Sequence, residues 1–85
     1  MQKTFNAVIK SNISKLKSKG WPNTGGPYIF KVEIENDLKL KEVSVLVDDT
    51  HYRIIKNIII PDKKCQLVLE KYHFNVFYLI KIAIL

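Results

Sequence analysis

The side chains able to do acid–base, nucleophilic or metal chemistry are few and scattered. His51 lies beside Asp48 and Asp49, His73 follows Glu70 by three residues, and Cys65 is the one cysteine. Proton transfer or covalent catalysis needs at least two such groups held together, a histidine with a carboxylate or a cysteine with a histidine. The stretch "DDTH" at 48 to 51 reads instead as a turn, with His51 at the start of the next strand. Glu70 and His73 would fall on opposite faces of a continuing strand. Cys65 reads as a small buried hydrophobe. One Cys and two His are short of the four ligands that a structural zinc site requires. The expectation is therefore a non-enzymatic chain with no catalytic residue, no metal and no cofactor.

What remains is the chemistry of charge and of aromatic surface. The chain carries 14 Lys and Arg against 8 Asp and Glu, a net charge of +6, and Arg53 is the one arginine. Lys3, Lys10, Lys15, Lys17, Lys19 and Lys31 precede residue 32 with no acid among them, whereas the rest of the chain holds equal numbers of acids and bases. The whole excess of positive charge thus belongs to the N-terminal third. Lys10, Lys15, Lys17 and Lys19, with Trp21 and Tyr28 close behind, form the candidate partner-binding set. A surface of this kind suits an acidic protein, nucleic-acid phosphates or an anionic membrane surface. Lysine offers a point charge where arginine grips phosphate and guanine through two bonds, so the single arginine places an acidic protein ahead of nucleic acid.

Positioning these residues requires elements, and the N-terminal one reads as a helix. Phe5, Val8, Ile9, Ile13 and Leu16 cover an arc of about 140° at 100° per residue, with Ala7, Ser11, Ser14 and Ser18 opposite. Thr4 would cap it, and Gly20 with Pro22 would end it, although Asn12 intrudes on the apolar side. Residues 20 to 27 form a loop holding all three glycines and Trp21. That loop leaves a helix and enters a strand, the reverse of a phosphate cradle, and Pro22 and Pro27 lack N–H donors.

Downstream the period becomes two. Tyr28, Phe30, Val32 and Ile34 alternate with Ile29, Lys31, Glu33 and Glu35, as in a half-buried strand. A turn at 35 to 37 leads to a second strand from about Leu38 to Val47, with a bulge near Lys41 and Glu42. The β-branched run Tyr52 to Ile60 predicts a third strand, Cys65 to about Lys71 a fourth and Val76 to Leu85 a fifth.

The sequence thus predicts one 85-residue domain of α+β class, an N-terminal amphipathic helix packed on an antiparallel four- or five-stranded meander. A lone cysteine fits a reducing compartment, and no apolar run reaches the roughly 20 residues of a membrane-spanning helix, so a cytoplasmic protein is expected. The C-terminal "VFYLIKIAIL" would pair with a second copy if it lay at a sheet edge, giving a homodimer. The function these features favour is a small protein-binding module, an inhibitor or accessory factor of viral or mobile-element type. Nucleic-acid binding by the same lysines is the alternative.

Overall fold

The computed structural model describes residues 2–15, 28–35 and 41–85, and most of these lie in strands. In chain order they are β1 (Gln2–Ile9), β2 (Ser14–Lys15), β3 (Tyr28–Ile34), β4 (Lys41–Val47), α1 (Asp49–Ile55), β5 (Lys64–His73) and β6 (Val76–Ile84). β1 runs antiparallel to β5 from Gln2↔Glu70 to Val8↔Lys64, and its far end crosses to β3 over Ala7↔Ile34 and Ile9↔Val32. β3 pairs antiparallel with β4, β4 pairs parallel with β6 over Ser44–Leu46, and β6 returns antiparallel to β5. The circuit β1–β3–β4–β6–β5–β1 is a closed five-stranded barrel, and β2 adds a short pairing on the start of β3.

The expected α+β arrangement, a helix lying on a meander, is therefore wrong. Residues 2–9 are a strand, because Ala7 and Ile9 face the interior, 1% and 0% exposed, with Phe5 packed partly against the same cluster. Ala7 belongs to the apolar set at period two, whereas the helical reading put it on the wet side. Asn12, an anomaly for a helix, is exposed in the bend between β1 and β2. Closure through β1 pairs its far end with both β5 and β3; a helix there would have bonded its own backbone and left those strand edges open.

The predicted third strand also fails. Asp48 caps a helix instead, its carboxylate accepting the backbone N–H of His51 at 2.7 Å, with Asp49 in the first turn. An acid at the N-cap and another in the first turn suit the positive end of the helix. Ile55 and Ile59, four residues apart, are both buried in the interior cluster and close that end of the barrel.

β3, β5 and β6 lie where the alternation predicted strands. The expected bulge at Lys41 and Glu42 is absent, since β4 pairs β3 in regular register from Lys41↔Ile34; Leu38, Leu40 and the turn after Glu35 lie outside the described residues. β6 is internal at its start, between β4 and β5, and from Leu79 onward it is paired with β5 among the described residues. Among those residues no helix is long and apolar enough to cross a membrane.

Candidate functional site

Because β3 and β4 turn Phe30, Val32, Ile34, Val43, Val45 and Val47 into the barrel, the alternate residues form an outward face. The strand register lays them in rows: Ile29 beside Leu46 beside Tyr78, then Lys31 beside Ser44 beside Val76, then Glu33 beside Glu42. Leu46 is 2% exposed yet stands apart from the interior cluster, on this outer face between Ile29 and Tyr78.

The face is bordered by the β5–β6 hairpin. A two-residue turn, Phe74–Asn75, joins the strands, with Asn75 at φ 57°, a left-handed conformation that asparagine tolerates. The Ser44 N–H donates to the Asn75 carbonyl at 2.9 Å and ties the turn to β4, while the Phe74 N–H donates to His73 Nδ1 at 2.8 Å. The tip is thus held by the barrel, and it carries rings. Tyr72 packs against Tyr78 with centroids 4.8 Å apart and planes at 60°, and Phe74 is 74% exposed with the Lys41 ammonium 5.5 Å from its ring centre. Desolvation and the neighbouring Tyr72 phenol push the Tyr78 hydroxyl above its ordinary range. The stretch "YHFN" at 72 to 75, between the fourth and fifth expected strands, carried a signal: aromatic residues where a turn normally takes polar ones.

Of the expected partner-binding set, the structure describes Lys10, Lys15 and Tyr28; Lys17, Lys19 and Trp21 lie outside the described residues. Lys10 sits 4.0 Å from Glu33, and Lys31, on the same face, 3.9 Å from Glu42. Both pairs are long and solvent-exposed, worth about 0–1 kcal/mol. The backbone N–H of Lys31 donates to Ser11 Oγ at 2.9 Å and that of Lys10 to the Lys31 carbonyl at 2.8 Å, so the bend after β1 is fastened to β3. Lys15, on β2, is exposed and makes no ion pair among the described residues.

Tyr28 is engaged within the molecule. Its ring stacks on Tyr52 at 3.6 Å with planes 3° apart, and its hydroxyl donates to Asp49 Oδ1 at 3.4 Å. Desolvation, with the Asp49 carboxylate beside it, raises the Tyr28 hydroxyl. This half-buried residue fastens α1 to β3.

Of the groups weighed for catalysis, His51 lies in the first turn of α1 and Cys65 in β5. His51 Nδ1 lies 2.9 Å from Asp48 Oδ1, and Arg53 Nε 3.0 Å from Asp49 Oδ2, all on exposed helix surface. Partial burial opposes ionisation of Asp48, but the bonds from the His51 backbone and ring outweigh it and hold the carboxyl below its ordinary value. Cys65 is fully buried, and that burial pushes its thiol up to about 11. Among the described residues no three His, Cys, Asp or Glu side chains gather as a metal site.

No family model and no curated protein matches the sequence. Among solved structures the chain is similar to a mitochondrial single-stranded DNA binding protein from S. cerevisiae, Rim1, covering 100% of this chain and 93% of that one at a TM-score of 0.69 and 11% identity. At that identity the likeness shows a shared fold: the barrel is OB-fold-like, five Greek-key strands with a helix between the third and fourth barrel strands in chain order, β4 and β5.

Proposed function

We propose that this chain binds single-stranded nucleic acid across the outward face of β3, β4 and β6. Bases stack on Tyr72, Phe74 and Tyr78, and phosphates meet Lys15, Lys31 and Lys41. The observation that carries the reading is the ring cluster on a braced hairpin, Tyr72 and Phe74 exposed and Tyr78 half-buried beside them, with a lysine ammonium at Phe74. Every base has a π-face, so a stacking platform recognises unpaired bases with little regard to sequence, at about 1–3 kcal/mol per base. A duplex hides those faces.

The charge pattern agrees with such a role. Lysines without arginines supply attraction to the backbone without bidentate reading of base edges. The Lys10–Glu33 and Lys31–Glu42 pairs are weak enough for a phosphate to replace either carboxylate at small cost. Barrels of this class hold oligonucleotides on the second and third barrel strands in chain order, between the loops that follow the first and fourth. β3 and β4 occupy those strand positions here, and the β5–β6 hairpin is the second of those loops. Lys17, Lys19 and Trp21 belong by sequence to the first, the connection between β2 and β3, and remain candidates on the sequence alone.

The protein-binding reading loses its main support, a basic amphipathic helix, because residues 2–9 form a barrel strand and Tyr28 is spent on Tyr52. Equilibrium binding of fluorescein-labelled oligo(dT), oligo(rU) and a duplex of equal length at low salt tests the proposal. Single strands are expected to bind more tightly than the duplex. No binding of either single strand at about 50 mM salt, where counterion release favours association, refutes it.

A further inference from the structure

The hairpin has a second, inward side. Beyond the interior residues Leu69 and Leu79, β5 and β6 place Lys71 and Phe77 at the barrel mouth, where Lys3 and Phe5 of β1 join them. This is the end of the barrel away from α1, since β1 begins where β5 ends. Among the described residues, Lys3, Phe5, Leu69, Lys71 and Phe77 line an open cleft of about 440 Å³. Phe5 and Phe77 meet edge to face with centroids 6.0 Å apart and planes at 62°, both half-buried. Among the described residues the lining thus combines two aromatic rings with two cations and no carboxylate.

We infer that this cleft binds a nucleoside phosphate, its base against Phe5 and Phe77 and its phosphate between the Lys3 and Lys71 ammonium groups. Its volume falls in the range of small-molecule sites, roughly 300–1,000 Å³, and a mostly apolar lining with a few polar groups is what such sites share. The ring pair offers apolar contact to a flat base, and the two lysines require an anion. The same chemistry is presented by a free mononucleotide and by the 5′-phosphorylated end of a strand. The cleft opens on a different surface from the outward face, so it stands or falls separately from strand binding there.

Titration with AMP, followed by NMR of the aromatic signals of Phe5 and Phe77, tests the inference. Saturable shifts at both rings are expected, with Lys3→Gln and Lys71→Gln each weakening AMP about two- to fivefold, the range of an exposed ion pair. Oligo(dT) with a 5′-phosphate binding more tightly than its 5′-hydroxyl form, with the gain lost in Lys3→Gln, identifies strand ends as the source. Equal affinities alongside saturable AMP shifts identify the free nucleotide. Rings that do not respond to millimolar AMP, or shifts unchanged by both lysine substitutions, overturn the inference even if the outward face binds oligo(dT) with a 5′-hydroxyl.

Discussion

Replacing Phe74 by alanine separates binding from stability, because the ring contributes surface and almost no core. At 74% exposure on a two-residue turn, its removal should alter folding stability by no more than about 1 kcal/mol, most of it the contact with Lys41. Loss of one stacked base costs about 1–3 kcal/mol, roughly a five- to 150-fold rise in Kd. The Lys41 ammonium also loses the ring it lies against, a contact of about 0.5–1 kcal/mol at an exposed site. Fluorescence anisotropy with labelled oligo(dT) at about 50 mM salt reads the binding change, and a thermal melt reads the fold. Phe74→Trp should restore affinity, since an indole stacks at least as well. An alanine variant that melts like the parent and binds within about twofold of it would falsify stacking at the hairpin tip.

Other substitutions probe the barrel and its charges. Ala7→Lys should prevent folding, because a buried ammonium costs several kcal/mol against a total stability of about 4–13 kcal/mol for a chain of this length, whereas a helical N-terminus would tolerate it; circular dichroism decides. Asp48→Ala should cost about 1 kcal/mol in urea melts by uncapping α1. Since the folded Asp48 carboxyl titrates below its ordinary value, its contribution is complete above the unfolded range and is lost as pH falls through the lowered folded value; the melts of parent and Asp48→Ala should converge in acid. For Cys65, folded at about 11 against an ordinary 9.0, the folded state keeps a proton that the unfolded state sheds, so this group lowers stability as pH rises from about 9 to 11. Alkylation of the native thiol near pH 8.5 should accordingly be slower by about two orders of magnitude than in urea, and equal rates would contradict its burial.

How much of this was legible depends on how each strand meets water. β3 reads cleanly because Lys31 and Glu33 face solvent while Phe30, Val32 and Ile34 fill the barrel. β1 does not, because Val8 on its outer side is half-buried, and Val8 next to Ile9 imitates the paired apolar positions of a helix. Ala7, small enough to pass for a surface residue, is the position where the two periods disagree. In α1 the β-branched run suggested a strand, but the cap at Asp48 and the burial of Ile55 and Ile59 prevailed over local preference. The lysine-rich N-terminal third was readable as charge, although the carboxylates of Glu33 and Glu42 reach it only through strand pairing. The hairpin platform was hidden because Tyr72 and Tyr78 are six residues apart and meet only once β5 folds back on β6.

The most direct check is an amide and aromatic NMR footprint of unphosphorylated oligo(dT) on the isotope-labelled chain. Shifts should concentrate on Lys31, Lys41, Tyr72, Phe74 and Tyr78, and their midpoint should weaken by about 20-fold between 50 and 200 mM salt if three phosphates are neutralised. Shifts confined to α1, or none at 50 mM salt, would contradict strand binding on this face.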